Sequence, residues 1–150
     1  MPNSRASAPI TLTRLPGASA LVLGAISISL EKIQGAPLRQ PNGIAFDAQG
    51  NIVVVNIGNT EVLTFSPAGQ LLRTENAAQA GNDGLVVMPD GTKYVSSVQN
   101  GGVSRIRPGQ KAELIAQNIP NPASMCYDPG ANQLVIPMNA NNALAFIPLR

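Results

Sequence analysis

The chain has 150 residues, long enough for one domain with its own core, and only 12% of them are charged, with ten basic against eight acidic residues and a formal charge of +2. So thin a balance gives no basic face for nucleic acid, and the pI near 9.0 reflects charges spread sparsely along the chain. There is no histidine and one cysteine, Cys126; this removes the commonest general base, the usual nitrogen ligand of zinc, any intramolecular disulfide and any Cys-x-x-Cys site. A metal held here is held through oxygen, which favours calcium or magnesium.

Residues 1–37 form a leader with two readings. In one, Ile10–Leu15, Ala20–Ile26 and Ile28–Ile33 are the strands of a degenerate blade. In the other, Arg5 and Arg14 form a basic region ahead of a short apolar export segment, Leu21 to Leu30. That segment contains serine and lacks a clear Ala-x-Ala site, which tilts the expectation slightly toward a cytoplasmic protein rather than a periplasmic or secreted one. It also falls well short of the ~20 apolar residues that span a bilayer, so no membrane span is expected.

From Pro41 onward one unit recurs three times: PNGIAFDAQGNIVVV, NDGLVVMPDGTKYVSSV and ASMCYDPGANQLVIPM. Gly43, Gly84 and Ser124 stand at spacings of 41 and 40, and Pro67, Pro108 and Pro148 keep the same 41 and 40. Each copy opens with a nearly all-apolar run (Ile44 to Phe46, Leu85 to Met88, Met125 to Tyr127), as for a strand covered on both faces. A turn follows, rich in Asp, Gly, Pro and Asn, and then a β-branched run: Ile52 to Val55, Tyr94 to Val98, Leu134 to Ile136. After a second polar turn a third, partly alternating strand completes the shared part: VLTF, VSRI and ALAF. In the first two copies a Pro-containing turn leads to a fourth, more polar strand, QLLRTE and QKAELI.

Four antiparallel strands repeated about every 40 residues predict β-propeller blades. The expected fold is all-β, with a divergent leader (1–37) and about three four-stranded blades over 41–80, 81–121 and 122–150, part of a propeller that the family resemblance given below implies is six-bladed. An open stack of blades leaves apolar faces uncovered, so self-association is expected.

Asn42, Asp83 and Ala123 occupy equivalent positions just before the first strand of each copy. In a propeller such residues point toward a common axis, so Asn42 and Asp83 are candidate metal ligands: an amide oxygen and a carboxylate, two of the about six to eight oxygens that calcium takes. The competing reading makes both of them turn residues. Asp47, Asp90 and Asp128 each fall in the first turn of a copy and read as turn formers. Asn139 to Asn142 sit where a hairpin turn is needed, Arg105 and Arg107 read as solvated, and Cys126 reads as a buried structural thiol. No phosphate-cradling glycine motif and no nucleophile elbow is present.

The three units, together with the ending PNPASMCYDPGANQLVIPMNANNALAFIPL, resemble the later blades of the senescence marker protein, gluconolactonase and luciferin-regenerating enzyme family, over about Leu38 to Leu149. The PNGIAFDAQGNIVVVNIGNTEVLTF unit alone is also similar to NHL repeats. The family resemblance implies a channel metal, often calcium, and hydrolysis of lactones or related esters. Asn42 matches the family's Asn ligand in a P-N-G, and Asp83 matches its Asp ligand in a D-G, which also serves as general base. The family's first ligand, a Glu in an E-G-P motif, has no match here, and Glu31 and Glu61, the nearest acids upstream of Asp83, lack that setting. The expectation is thus the C-terminal half of a calcium-dependent lactone or ester hydrolase with an incomplete metal site. The alternatives are an NHL-like scaffold without catalysis and an inactive truncated product.

Overall fold

A computed structural model of the chain describes residues 38–150, which lie within one compact unit, Gly35–Arg150. Both readings of the leader fall outside the described residues. The first sheet holds β1 (Pro41–Phe46), β2 (Ile52–Asn56), β3 (Glu61–Phe65) and β4 (Leu71–Asn76). The second holds β5 (Asn82–Val87), β6 (Lys93–Ser97), β7 (Gly102–Ile106) and β8 (Glu113–Ala116); the third holds β9 (Cys126–Asp128), β10 (Gln133–Met138) and β11 (Ala143–Pro148). Within each sheet the strands pair antiparallel in chain order. The described residues contain no helix, so the all-β expectation holds.

The turns form for the reason the sequence suggests. Asp47 Oδ1 accepts the backbone N–H of Gln49 and Asn51 at 2.9 and 2.8 Å, Asp90 Oδ1 that of Thr92 at 2.9 Å, and Asp128 Oδ1 that of Gly130 at 2.9 Å. Each carboxylate closes the link between the first two strands of its sheet. Gly50 and Gly91 complete two of these turns at φ values of 78° and 85°, where a Cβ would be strained.

Side-chain alternation gives each sheet two apolar faces, and neighbouring sheets meet through them. Val53, Val55 and Val62 of the first sheet pack with Leu85, Val95 and Ile106 of the second. Tyr94 and Val103, on the opposite face of the second sheet, pack with Leu134 and Ile136 of the third. These are mostly β-branched and aliphatic residues, which suit a pleated surface buried on both sides. An ion pair crosses the first of these interfaces: Lys93 Nζ lies 2.8 Å from Glu75 Oε2, with the lysine side chain 2% exposed. The same ammonium donates to the carbonyl of Gly91.

Three sequence expectations need correction. Cys126 is exposed, because β9 turns Met125 and Tyr127 toward the second sheet and the intervening residue to the other side. Arg105 is only 16% exposed and, with Arg107, converges on one oxygen of Glu113, each at 2.6 Å, so the arginines form a cluster around a shared carboxylate. The first strands are likewise not covered throughout: Ile44 and Phe46 are 64% and 68% exposed, and Leu144 and Phe146 on β11 are 53% and 56% exposed. The expectation of self-association rests on these side chains.

Breaking the Lys93–Glu75 pair on one side strands a carboxylate in a nearly dry interface. Lys93→Met is expected to lose roughly 3 kcal/mol in urea unfolding. The double variant Lys93→Met with Glu75→Leu, which removes both charges, is expected to recover most of that loss.

Candidate active site

Asn42 and Asp83 lie inside β1 and β5 rather than ahead of them, because both strands begin earlier than the apolar runs suggest. Each sits in an irregularity of the ladder. Pro41 pairs with Asn56 and Ile44 with Val54, so Asn42 and Gly43 together face Val55. Asn82 pairs with Ser97 and Leu85 with Val95, so Asp83 and Gly84 together face Ser96. Two residues against one is a β-bulge, which turns the strand locally and re-aims a side chain.

The bulges sit where β1 and β5 approach most closely. A Cβ on Gly43 would fall on the carbonyl oxygen of Asp83 and 2.8 Å from Val55 Cγ2. A Cβ on Gly84 would lie 2.5 Å from the carbonyl oxygen of Ala123 and 2.7 Å from Ser96 Oγ. Only glycine fits at either place. Ser96 Oγ accepts the N–H of Gly84 at 2.8 Å and donates to the carbonyl of Ala123 at 2.7 Å, fastening the second sheet to the chain entering the third. Sequence reading missed this serine, since a small polar residue in a strand carries no signal of its own.

The result is direct contact across the two sheets: Asn42 Nδ2 donates to Asp83 Oδ2 at 3.1 Å. Ala123, the third equivalent residue, is buried and brings no polar side-chain atom. Asn42 is exposed and Asp83 half-buried. Burial pushes the Asp83 carboxyl above its ordinary value of 3.8, against the opposing pull of the Asn42 hydrogen bond. The bond between them uses one atom of each group. The Asn42 amide oxygen and the second Asp83 oxygen are therefore suited in kind to a hard cation, as two donors of a larger set.

Other acids do not join them. Glu61 Oε2 accepts from Asn59 Nδ2 at 2.7 Å while the Glu61 N–H donates to Asn59 Oδ1 at 3.0 Å, a closed local turn. Glu31 lies outside the described residues. Among the described residues no group of three acidic, histidine or cysteine side chains converges as a metal cluster.

No family model and no curated protein matches the sequence. Solved structures do match. A catalytically inactive virginiamycin B lyase from Staphylococcus aureus, crystallised with quinupristin, is 14% identical over 76% of this chain and 40% of its own, with a TM-score of 0.63. The fold is a partial β-propeller. A gluconolactonase from Xanthomonas campestris matches at 23% identity over 77% of this chain and 39% of its own, TM-score 0.56. Hydrazine synthase from Kuenenia stuttgartiensis matches at 16% identity over 71% of this chain and 32% of its own, TM-score 0.56. The chain thus spans about two fifths or less of the length of the structures it matches. At these identities the likeness establishes the fold. Among the described residues no helix is long and apolar enough to cross a membrane.

The raised Asp83 value carries a sign that can be measured. Folded Asp83 binds its proton more tightly than unfolded Asp83, so its contribution to stability is full below 3.8 and is lost as pH rises through the folded value. Asp83→Asn keeps an acceptor for Asn42 and removes the charge. It is expected to melt higher than the parent chain at pH 7, with the difference closing toward pH 3 in thermal scans.

Proposed function

We propose that the chain carries part of the site of a divalent-metal-dependent lactone or ester hydrolase, with Asn42 and Asp83 as two of the metal ligands and Asp83 as general base. The observation that carries this reading is the meeting of Asn42 and Asp83 across two sheets, on matching bulges, with the carboxylate partly desolvated. The resemblance to the gluconolactonase family supports it, and the likeness to a gluconolactonase structure is consistent with it at the level of fold. Calcium is the ion that the oxygen-only donor set favours. When bound, such an ion would polarise the substrate carbonyl and acidify a water.

The residues of this chain have distinct tasks. The Asn42 amide contributes a neutral oxygen and steadies the Asp83 carboxylate by hydrogen bonding. Asp83 takes a proton from the attacking water as its oxygen bonds to the carbonyl carbon. The same carboxyl then returns that proton to the leaving alkoxide as the ester C–O bond breaks. Burial raises the basicity of Asp83, which moves its proton affinity toward what general-base work requires. The proposed substrate is a small lactone or ester.

A non-catalytic scaffold is the second reading, favoured by the absence of a third converging acid among the described residues. Calorimetric titration with calcium separates the two. The hydrolase reading expects saturable heat that Asp83→Ala abolishes and Asn42→Ala weakens, together with lactone hydrolysis that chelation removes. No heat, or the same heat from Asp83→Ala, leaves the scaffold standing. We also propose that the chain self-associates through its exposed apolar faces. Light scattering is expected to give at least twice the monomer mass of 15.5 kDa, and a monodisperse monomer would refute it.

A further inference from the structure

Each of the two bulges is faced by one residue from the second strand of its sheet. Opposite Asn42-Gly43 it is Val55, and opposite Asp83-Gly84 it is Ser96, the residue one repeat of 41 later. Their γ atoms take equivalent places. A Cβ on Gly43 would lie 2.8 Å from Val55 Cγ2, and a Cβ on Gly84 would lie 2.7 Å from Ser96 Oγ. Both residues are fully buried. Where the first sheet has a methyl, the second has a hydroxyl, and the hydroxyl stands at the bulge that carries the acid.

A hydroxyl has one proton and two lone pairs. The Ser96 proton goes to the carbonyl of Ala123, which fixes the rotor, and a lone pair then accepts the N–H of Gly84. A bulge disrupts the ladder locally, and a buried N–H left without an acceptor is costly. Ser96 supplies the acceptor. That N–H belongs to the peptide whose carbonyl is Asp83's own, and a Cβ on Gly43 would fall on this carbonyl oxygen. The Asp83–Gly84 peptide plane is thus held on both sides, its N–H by Ser96 and its C=O against the backbone of β1.

We propose that Ser96 is a positioning residue for Asp83: its hydroxyl, oriented by the Ala123 carbonyl, fixes the Asp83–Gly84 peptide so that the carboxylate meets Asn42. The third copy, which has alanine where the others have Asn42 and Asp83, then serves the site through a backbone oxygen instead of a side chain. The bearing of Ser96 on chemistry rests on the proposed hydrolase, but the placement is read from Asn42 alone.

The test compares Ser96→Val, which copies Val55, with Ser96→Thr, which has the same shape and keeps the hydroxyl. The readout is nuclear magnetic resonance of the Asn42 side-chain amide in the isotopically labelled full chain. Its hydrogen bond to Asp83 is expected to set its signals apart from those of an Asp83→Ala variant. Ser96→Val is expected to lose that separation, its Asn42 signals falling at the Asp83→Ala positions, whereas Ser96→Thr keeps the parent positions. In the parent chain the Gly84 amide is expected to exchange with deuterium about a hundredfold more slowly than that of Gly109, which is exposed in a turn. Parent-like Asn42 signals in Ser96→Val overturn the proposal, as does Ser96→Thr behaving like Ser96→Val. A Gly84 amide that exchanges as fast as Gly109 overturns it as well. That measurement needs no variant, so a folding defect in Ser96→Val cannot obscure the result. Neither calcium nor a lactone enters these measurements, so the hydrolase can fail while the positioning stands, and the reverse.

Discussion

The close approach of first strands at Gly43 and Gly84 is the constraint on which the inner part of this structure depends. At Gly43 the backbone of β1 presses on the carbonyl of Asp83, and at Gly84 that of β5 presses on the chain at Ala123. No side chain fits in either contact, so the repeat keeps glycine at both positions. In the third copy the same place holds Ser124, which is exposed. The register of glycine with glycine is therefore a statement about distance between sheets. Because the approach is tight, residues one repeat apart fall within hydrogen-bond reach, and Asn42 meets Asp83.

That contact was legible in the sequence because two features coincide: the constant spacing of Gly43 and Gly84, and oxygen-bearing residues directly before them. The turns were legible too, since Asp47, Asp90 and Asp128 act through neighbours two to four residues away. The bulges were not. They depend on which residues of β2 and β6 stand opposite, and nothing local to Asn42-Gly43 or Asp83-Gly84 distinguishes a bulge from a turn. Cys126 misled for a related reason. The apolar run around it promises burial, whereas its exposure depends on what stands against the far face of β9. The partners of Lys93 and Arg105 were hidden in the same way, since Glu75 lies in another sheet and Glu113 on the neighbouring strand.

Aromatic residues are few, three Phe, two Tyr and no Trp, and the inter-sheet contacts accordingly use small and branched side chains with polar fasteners between them. Ser96 bridges Gly84 and Ala123, Ser104 Oγ accepts the N–H of Ala78, and Asn82 Nδ2 donates to the carbonyl of Asn59. Each of these fasteners joins a sheet to the chain of a neighbouring one. The two serines, buried and satisfied in this way, fix orientation as well as contributing stability, because a misplaced neighbour would leave them unpaired. Asn82 is fastened through Nδ2 alone, its buried Oδ1 having no partner. Aliphatic packing alone tolerates sliding between flat faces. The serines and asparagines do not.

The carboxylates of the described residues divide by position along the strands, and the division bears on where chemistry can occur. Asp47 and Asp90 follow the ends of first strands and Asp128 is the last residue of one, and all three are held below the ordinary carboxylate range. For Asp47 burial opposes the shift and hydrogen bonds from Asn51 and Gln49 outweigh it; for Asp90 the backbone bond from Thr92 leads, and for Asp128 the side-chain bond from Gln133. Their Oδ1 atoms are committed to backbone N–H groups and their Oδ2 atoms to the side chains of Asn51, Thr92 and Gln133, so a proton or a cation would have to displace the bonds that form the turns. Asp83 stands at the opposite end, at the start of its strand, with a raised value and a single side-chain donor in Asn42. A group that is desolvated yet sparsely bonded gains more from a ligand than one already saturated. The proposed proton transfer and cation binding therefore belong to the end of the sheets that carries Asn42 and Asp83, while the three turn aspartates maintain the other.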